Sequence, residues 1–138
     1  MNAPLAPPPS LADRTALIVD DDAFAVQAMT DALAAAGITQ VMSAGDGQLA
    51  LKRMASLATP PDLLVCDLYM PNMDGVEFLE VLAERDYRGG IIIVTGVDPV
   101  LLEPVKVMAQ YKSLQVLGAF VKPLRIDDLV RVLQPRAA

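Results

Sequence analysis

Leu63-Leu64-Val65-Cys66-Asp67-Leu68-Tyr69-Met70-Pro71-Asn72-Met73-Asp74-Gly75 is the stretch on which the fold is decided. Leu63 to Cys66 is an apolar run of strand length, and an acid follows it. A loop shaped by Met70-Pro71 and Asp74-Gly75 then leads into a helical segment from about Gly75 to Glu84, carried by Phe78, Leu79 and Leu82.

The same alternation runs along the whole chain. Further strand-length runs occur at Ala16 to Val19, Gln40 to Ser43, Ile91 to Val94 and Ala119 to Val121, giving five strands in all. Val26, Met29, Leu33 and Ala36 mark a first helix that should end at Gly37 in a left-handed cap. A second is expected over roughly Gly47 to Leu57, with Leu51 and Met54 inward and Pro60-Pro61 as its stop. The fourth should start short and kinked, with Asp98-Pro99 as cap and first residue and Pro104 in the next turns. Ile126, Leu129, Val130 and Leu133 give the last helix an apolar stripe, opened by a cap near Arg125 to Asp128.

Leu17-Ile18-Val19 and Ile91-Ile92-Ile93-Val94 are continuous apolar runs, as strands buried on both faces require, so the sheet should be parallel. Right-handed crossovers then put helices on both faces, and function gathers beyond the carboxyl ends of the strands.

Composition bounds the rest. At 138 residues one domain, expected over 13–135, can bury an adequate core without disulfides. Residues 1–12, with four prolines in the first ten, read as a disordered tail and match neither a signal peptide nor a membrane anchor. A net charge of -6, with 11 basic residues that form no patch in sequence, argues against direct nucleic-acid binding. The one cysteine, Cys66, lies in an apolar run and suits a reducing cytoplasm. There is no histidine, so any phosphohistidine must come from another protein.

The strand ends carry Asp20, Asp21 and Asp22, then Asp67, then Thr95 and Gly96, then Lys122-Pro123, while strand two offers nothing. Taken singly each is ordinary: an Asp run after a strand is usually a solvated turn, and Asp22 reads as an acid opening the first helix. Together, converging carboxylates repel unless a hard divalent cation compensates, and Mg2+ is the expected one.

Leu-Ile-Val-Asp20-Asp21-Asp22, Cys66-Asp67 through Asp74-Gly75, Val94-Thr95-Gly96 and Val121-Lys122-Pro123 closely resemble the receiver domains of two-component response regulators over about residues 14 to 134. The resemblance implies a flavodoxin-like (βα)5 three-layer α/β sandwich with strand order 2-1-3-4-5, for which a receiver is the standing example. It makes Asp67 the acceptor of a phosphoryl group from a sensor histidine kinase or histidine phosphotransfer protein. It assigns Mg2+ to Asp21, Asp67 and the backbone carbonyl of Tyr69, with Asp20 contributing directly or through water. Lys122 and the Thr95 hydroxyl would meet the phosphoryl oxygens, the Gly96 N–H could donate as well, and the Lys122-Pro123 bond would be cis.

Two positions depart from the family pattern. Ala119 stands where many receivers carry an aromatic switch, with Phe120 expected on the opposite face of the strand. Tyr69 is bulky where small or polar residues are common, and is read as a shield for the acyl phosphate. Arg88 to Gly118 is similar to receivers fused to cyclic-di-GMP phosphodiesterases; no such catalytic segment lies in these 138 residues, so the receiver is expected either to stand alone or to be a portion of something longer, acting on a downstream protein or a linked output domain. Val97, Val100, Leu101 and Val105 offer the fourth helix as a partner or homodimer face. A phosphorylation-controlled switch, not an enzyme in the ordinary sense, is the leading reading. A phosphorylation-independent binding module is the alternative. A haloacid-dehalogenase type enzyme is third, because Tyr69 occupies the position of its usual second Asp.

Overall fold

A computed structural model describes residues 13–97 and 99–133. The expected disordered tail over 1–12, the cap at residue 98 and the last two residues of the expected domain lie outside the described residues.

The elements alternate throughout: β1 (Thr15–Val19), α1 (Ala23–Ala35), β2 (Gln40–Ala44), α2 (Gly47–Ala55), β3 (Leu63–Asp67), α3 (Gly75–Glu84), β4 (Gly90–Thr95), α4 (Leu102–Tyr111), β5 (Gln115–Val121) and α5 (Ile126–Leu133). All pairings are parallel and the strand order is β2-β1-β3-β4-β5. The flavodoxin-like sandwich implied by the resemblance is therefore the fold.

The period of two along each strand sorts the core into two layers. Leu17, Val19, Leu64, Cys66, Ile91 and Ile93 face α2, α3 and α4, where Ala50, Phe78, Leu79, Leu82 and Val105 meet them. Ala16, Ile18, Leu63, Val65, Ile92 and Val94 face α1 and α5, meeting Met29, Leu33, Leu129 and Leu133. Every residue of β3 is buried, as a central strand covered on both sides must be.

α1 ends as expected. Gly37 takes φ 109, its N–H reaches the Ala34 carbonyl at 3.0 Å, and the Ile38 N–H reaches Leu33 at 2.8 Å, a Schellman pair. Asp22, Asp46 and Asp74 cap α1, α2 and α3 with side-chain oxygens.

Several boundaries differ from the sequence reading. α2 stops at Ala55, short of Leu57, and β3 and β4 each run one residue further, onto Asp67 and Thr95. β5 begins at Gln115 rather than Ala119. Gly118 interrupts its apolar pattern, and a register shift at Ile91/Ile92 leaves Leu117 without an opposite residue. A 3-10 turn, Pro99–Leu101, precedes α4, so Pro104 falls in the first turn, where no helical hydrogen bond is lost. Val105 is core and not part of an exposed face, whereas Val97, Val100 and Leu101 are exposed. Half of the α5 stripe is exposed too: α5 packs on α1 and on edge strand β5, which bury Leu129 and Leu133 but leave Ile126 and Val130 uncovered.

Gly75 opens α3 against the backbone that leaves β3. A Cβ there would collide with the Asp67 carbonyl oxygen and stand 2.7 Å from Leu68 Cα, and backbone cannot move aside as a side chain can. Gly75→Ala is expected to lower stability in urea titration by about 1–3 kcal/mol; an unchanged midpoint would show that the two segments have room to separate.

Candidate functional site

Parallel strands in one sheet all end on the same edge, and here β1, β3, β4 and β5 are consecutive neighbours. Asp20 and Asp21 follow β1, Asp67 and Thr95 close β3 and β4, and Lys122 follows β5. Asp20, Asp67 and Thr95 are buried, with 3%, 4% and 0% exposure, while Asp21 is exposed.

Lys122 joins the two buried acids. Its Nζ stands 2.6 Å from Asp20 Oδ2 and 3.4 Å from Asp67 Oδ2. The other Asp20 oxygen accepts the Asp22 N–H at 2.9 Å, and Oδ2 has no hydrogen-bond partner beyond this ammonium. The Lys122-Pro123 peptide is cis, and the Lys122 N–H donates to the Thr95 carbonyl at 2.8 Å. The Thr95 hydroxyl accepts the Val97 N–H at 3.3 Å. Gly96 lies against the lysine stem, since a Cβ there would come within 3.3 Å of Lys122 Cδ.

Burial and then the neighbouring Asp20 charge push the Asp67 carboxyl above the ordinary range, opposed by Lys122 and by the nearby Tyr69 backbone N–H. Burial draws Lys122 down, but its hydrogen bond to Asp20 and the charges of Asp67 and Asp20 outweigh that and raise it. Desolvation pushes the Cys66 thiol far up, which leaves it a small apolar core group.

One carboxylate oxygen from each of Asp20, Asp21 and Asp67 lies within 4.8 Å of the others. The set is all oxygen, it includes a buried Asp20 oxygen met only by an ammonium, and its carboxylates repel. These are the properties a hard divalent cation fits. The Tyr69 carbonyl belongs to the loop that leaves Asp67, and the residue is 38% exposed. A groove of about 660 Å³ lined by Leu51, Pro61, Tyr87 and Arg88 holds none of these acids.

Sequence reasoning missed Asp46 and Asn72. Asp46 is buried, accepts the Leu49 N–H at 2.9 Å with one oxygen and Asn72 Nδ2 at 2.9 Å with the other. Asp46-Gly47 before an apolar helical period is a cap signal, and Asn72, at φ 64, follows a proline in a turn. Neither signal reveals that the two side chains meet. Ala119 and Phe120 do lie on opposite faces, in the layers of α2–α4 and of α1 and α5 respectively.

Comparison with known proteins agrees with the fold. A family model described as the response regulator receiver domain matches residues 16–134. The probable chemotaxis protein CheY of Rhizobium etli is 39% identical over 120 residues, 86% of this chain and 88% of that protein. The positive alginate biosynthesis regulatory protein of Pseudomonas aeruginosa is 32% identical over 86% of this chain, which spans only 45% of that relative. Of the cyclic di-GMP phosphodiesterase RocR from the same species, 27% identical, the chain spans 31%. Among solved structures, the CheX-CheY-BeF3-Mg2+ complex of Borrelia burgdorferi superposes with a TM-score of 0.72 at 25% identity, covering 87% of this chain and 86% of that one.

Asn72 first, and then the Leu49 N–H, hold the Asp46 carboxyl below its ordinary value of 3.8, against a smaller opposing effect of burial. A depressed carboxyl stabilises the fold above that value and stops doing so as pH falls through its folded pKa. Asp46→Asn keeps a capping oxygen but cannot titrate, so its deficit in thermal midpoint should be full above about pH 5 and narrow below about pH 4. A deficit constant over that range would refute the linkage.

Proposed function

The chain belongs to the response regulator receiver domain family, and on that premise we propose that Asp67 accepts a phosphoryl group and that the domain acts as a phosphorylation-controlled switch. The observation that carries this reading is the Lys122 ammonium held between Asp20 and Asp67, 2.6 Å and 3.4 Å away. It places a fixed positive charge beside a buried carboxylate, where a phosphoryl group could be received.

In the proposed reaction an Asp67 carboxylate oxygen attacks the phosphorus of a phosphohistidine. The new P–O bond forms as the P–N bond breaks, and the electron pair of that bond returns to the donor's imidazole. Lys122 would turn from the carboxylates to the phosphoryl oxygens, where the Thr95 hydroxyl and the Gly96 N–H would donate. Mg2+, held by Asp21, Asp67 and the Tyr69 carbonyl with Asp20 bound directly or through water, would supply the remaining charge neutralisation. That a solved relative carries BeF3 and Mg2+ together supports this assignment.

The donor is proposed to be a sensor histidine kinase or phosphotransfer protein, since this chain has no histidine. The domain is proposed to span 13–135 and to act in the cytoplasm on a downstream protein or a linked output domain. Exposed Val97, Val100 and Leu101 before and at the start of α4 are the proposed partner or homodimer face. Similarity to RocR supports an output linked to cyclic-di-GMP turnover. No described helix is long and apolar enough to cross a membrane. Phosphorylation of Asp67 is self-modification and not turnover. With Ala119 in place of a rotating aromatic, the signal would travel through backbone shifts or α4 packing.

Intact mass after incubation with acetyl phosphate and Mg2+ tests the reading. A single added phosphoryl group is expected on the wild type, and none on Asp67→Asn or in the presence of chelator. No addition to folded wild type, from acetyl phosphate or from a dedicated kinase, would leave a phosphorylation-independent binding module as the better account. The half-exposed Tyr69 ring is proposed to keep water from the acyl phosphate, so Tyr69→Asn should shorten its lifetime; equal lifetimes would dismiss the shield.

A further inference from the structure

The corner between β2 and α2 is tied to both strands that bear the acidic cluster. Ala44, which ends β2, accepts the Asp20 N–H at 3.0 Å and so fastens the corner to the end of β1. Two residues later Asp46 grips the loop that leaves Asp67, through Asn72 Nδ2 at 2.9 Å. Beside it the Gly47 N–H donates to the Met73 carbonyl at 3.1 Å, and the Met73 side chain fills the space a Cβ on Gly47 would need, its Cγ only 2.8 Å away. The near end of the loop is closed by the Gly75 N–H on the Leu68 carbonyl at 3.0 Å. Tyr69, Met70 and Pro71 are thus strung between two fastenings.

Helix capping does not account for this arrangement. Asp22 and Asp74 cap α1 and α3 through one oxygen each and are not buried. Asp46 caps in the same way, yet it is buried and commits its second oxygen to a side chain 26 residues further along the chain. Asn72 presents that amide from φ 64, a conformation its short polar side chain tolerates.

We propose that Asp46 and Asn72 are positioning residues that hold the Tyr69 backbone in place relative to Asp20, Asp21 and Asp67, and thereby set cation affinity and acyl-phosphate lifetime. The proposal rests on the reading of Asp67 as phosphoacceptor. Bond partners that orient ligands in this way commonly change metal affinity by an order of magnitude or more when removed.

Two variants test it in the full chain. Asn72→Gly removes the amide while tolerating the positive φ and leaving net charge unchanged. The exchange Asp46→Asn with Asn72→Asp keeps the cap, the net charge and a hydrogen bond of reversed polarity. Calorimetric Mg2+ titration should show about tenfold weaker binding for Asn72→Gly, with a shortened phosphate lifetime, and the exchanged pair should recover both. A lowered thermal midpoint with unchanged Mg2+ affinity and lifetime would overturn the proposal, as would an exchanged pair no better than Asn72→Gly. If the wild type binds Mg2+ but takes no phosphoryl group, the phosphoacceptor reading fails by itself, and the Mg2+ comparison still decides the positioning role.

Discussion

Lys122 Nζ, between Asp20 Oδ2 and Asp67 Oδ2, is the contact on which the acidic edge depends. Two carboxylates buried to this degree repel, and the cost of desolvating them is offset only by a cation close by. β1 and β3 are neighbours, so the sheet itself forces the acids together. Lys122 comes from β5, beyond β4, and its stem must pass the end of β4 to reach them. Gly96 stands at that crossing, and its lack of a side chain leaves the path open. Thr95 fixes the start of the stem by accepting the Lys122 N–H.

The same edge is braced from the loops. Gly75 lets α3 begin directly against the Asp67 carbonyl, and the β2–α2 corner holds both the end of β1 and the far end of the loop after β3. The helices are therefore not only covers for the sheet. Their first turns set the position of the segments that leave the acidic strands, and the three Asp caps make those turns well defined.

Away from the edge, β5 divides its side chains between the layers. Ala119 faces α2–α4 without the bulk to change rotamer, and Phe120 lies on the other side, where its ring covers Gly118 and shares the layer of Val132. A change at Lys122 thus begins two residues from a large ring on the α5 side and three from a small side chain on the α4 side. That asymmetry separates this chain from receivers that carry an aromatic at the Ala119 position.

The elements were legible because a strand buried on both faces must be continuously apolar. Leu63 to Cys66 and Ile91 to Val94 announce themselves in that way, and the acids, threonine and lysine that follow the runs are legible as strand ends for the same reason. β5 was half hidden, since Gly118 and a bulge break its period, and the α5 stripe overstated burial, since periodicity cannot tell how much of a helix face its neighbours cover. Strand order came from a family likeness, because hydrophobic pattern carries no information on which strand lies beside which. Hydrophobic pattern alone is enough for an alternating parallel α/β chain with an acidic, threonine- and lysine-bearing edge. That Lys122 lies nearer Asp20 than Asp67, and that Asp46 reaches Asn72, is a property of the folded molecule alone. Those contacts join residues far apart in the chain, and they exist only once packing has fixed the loops that present them.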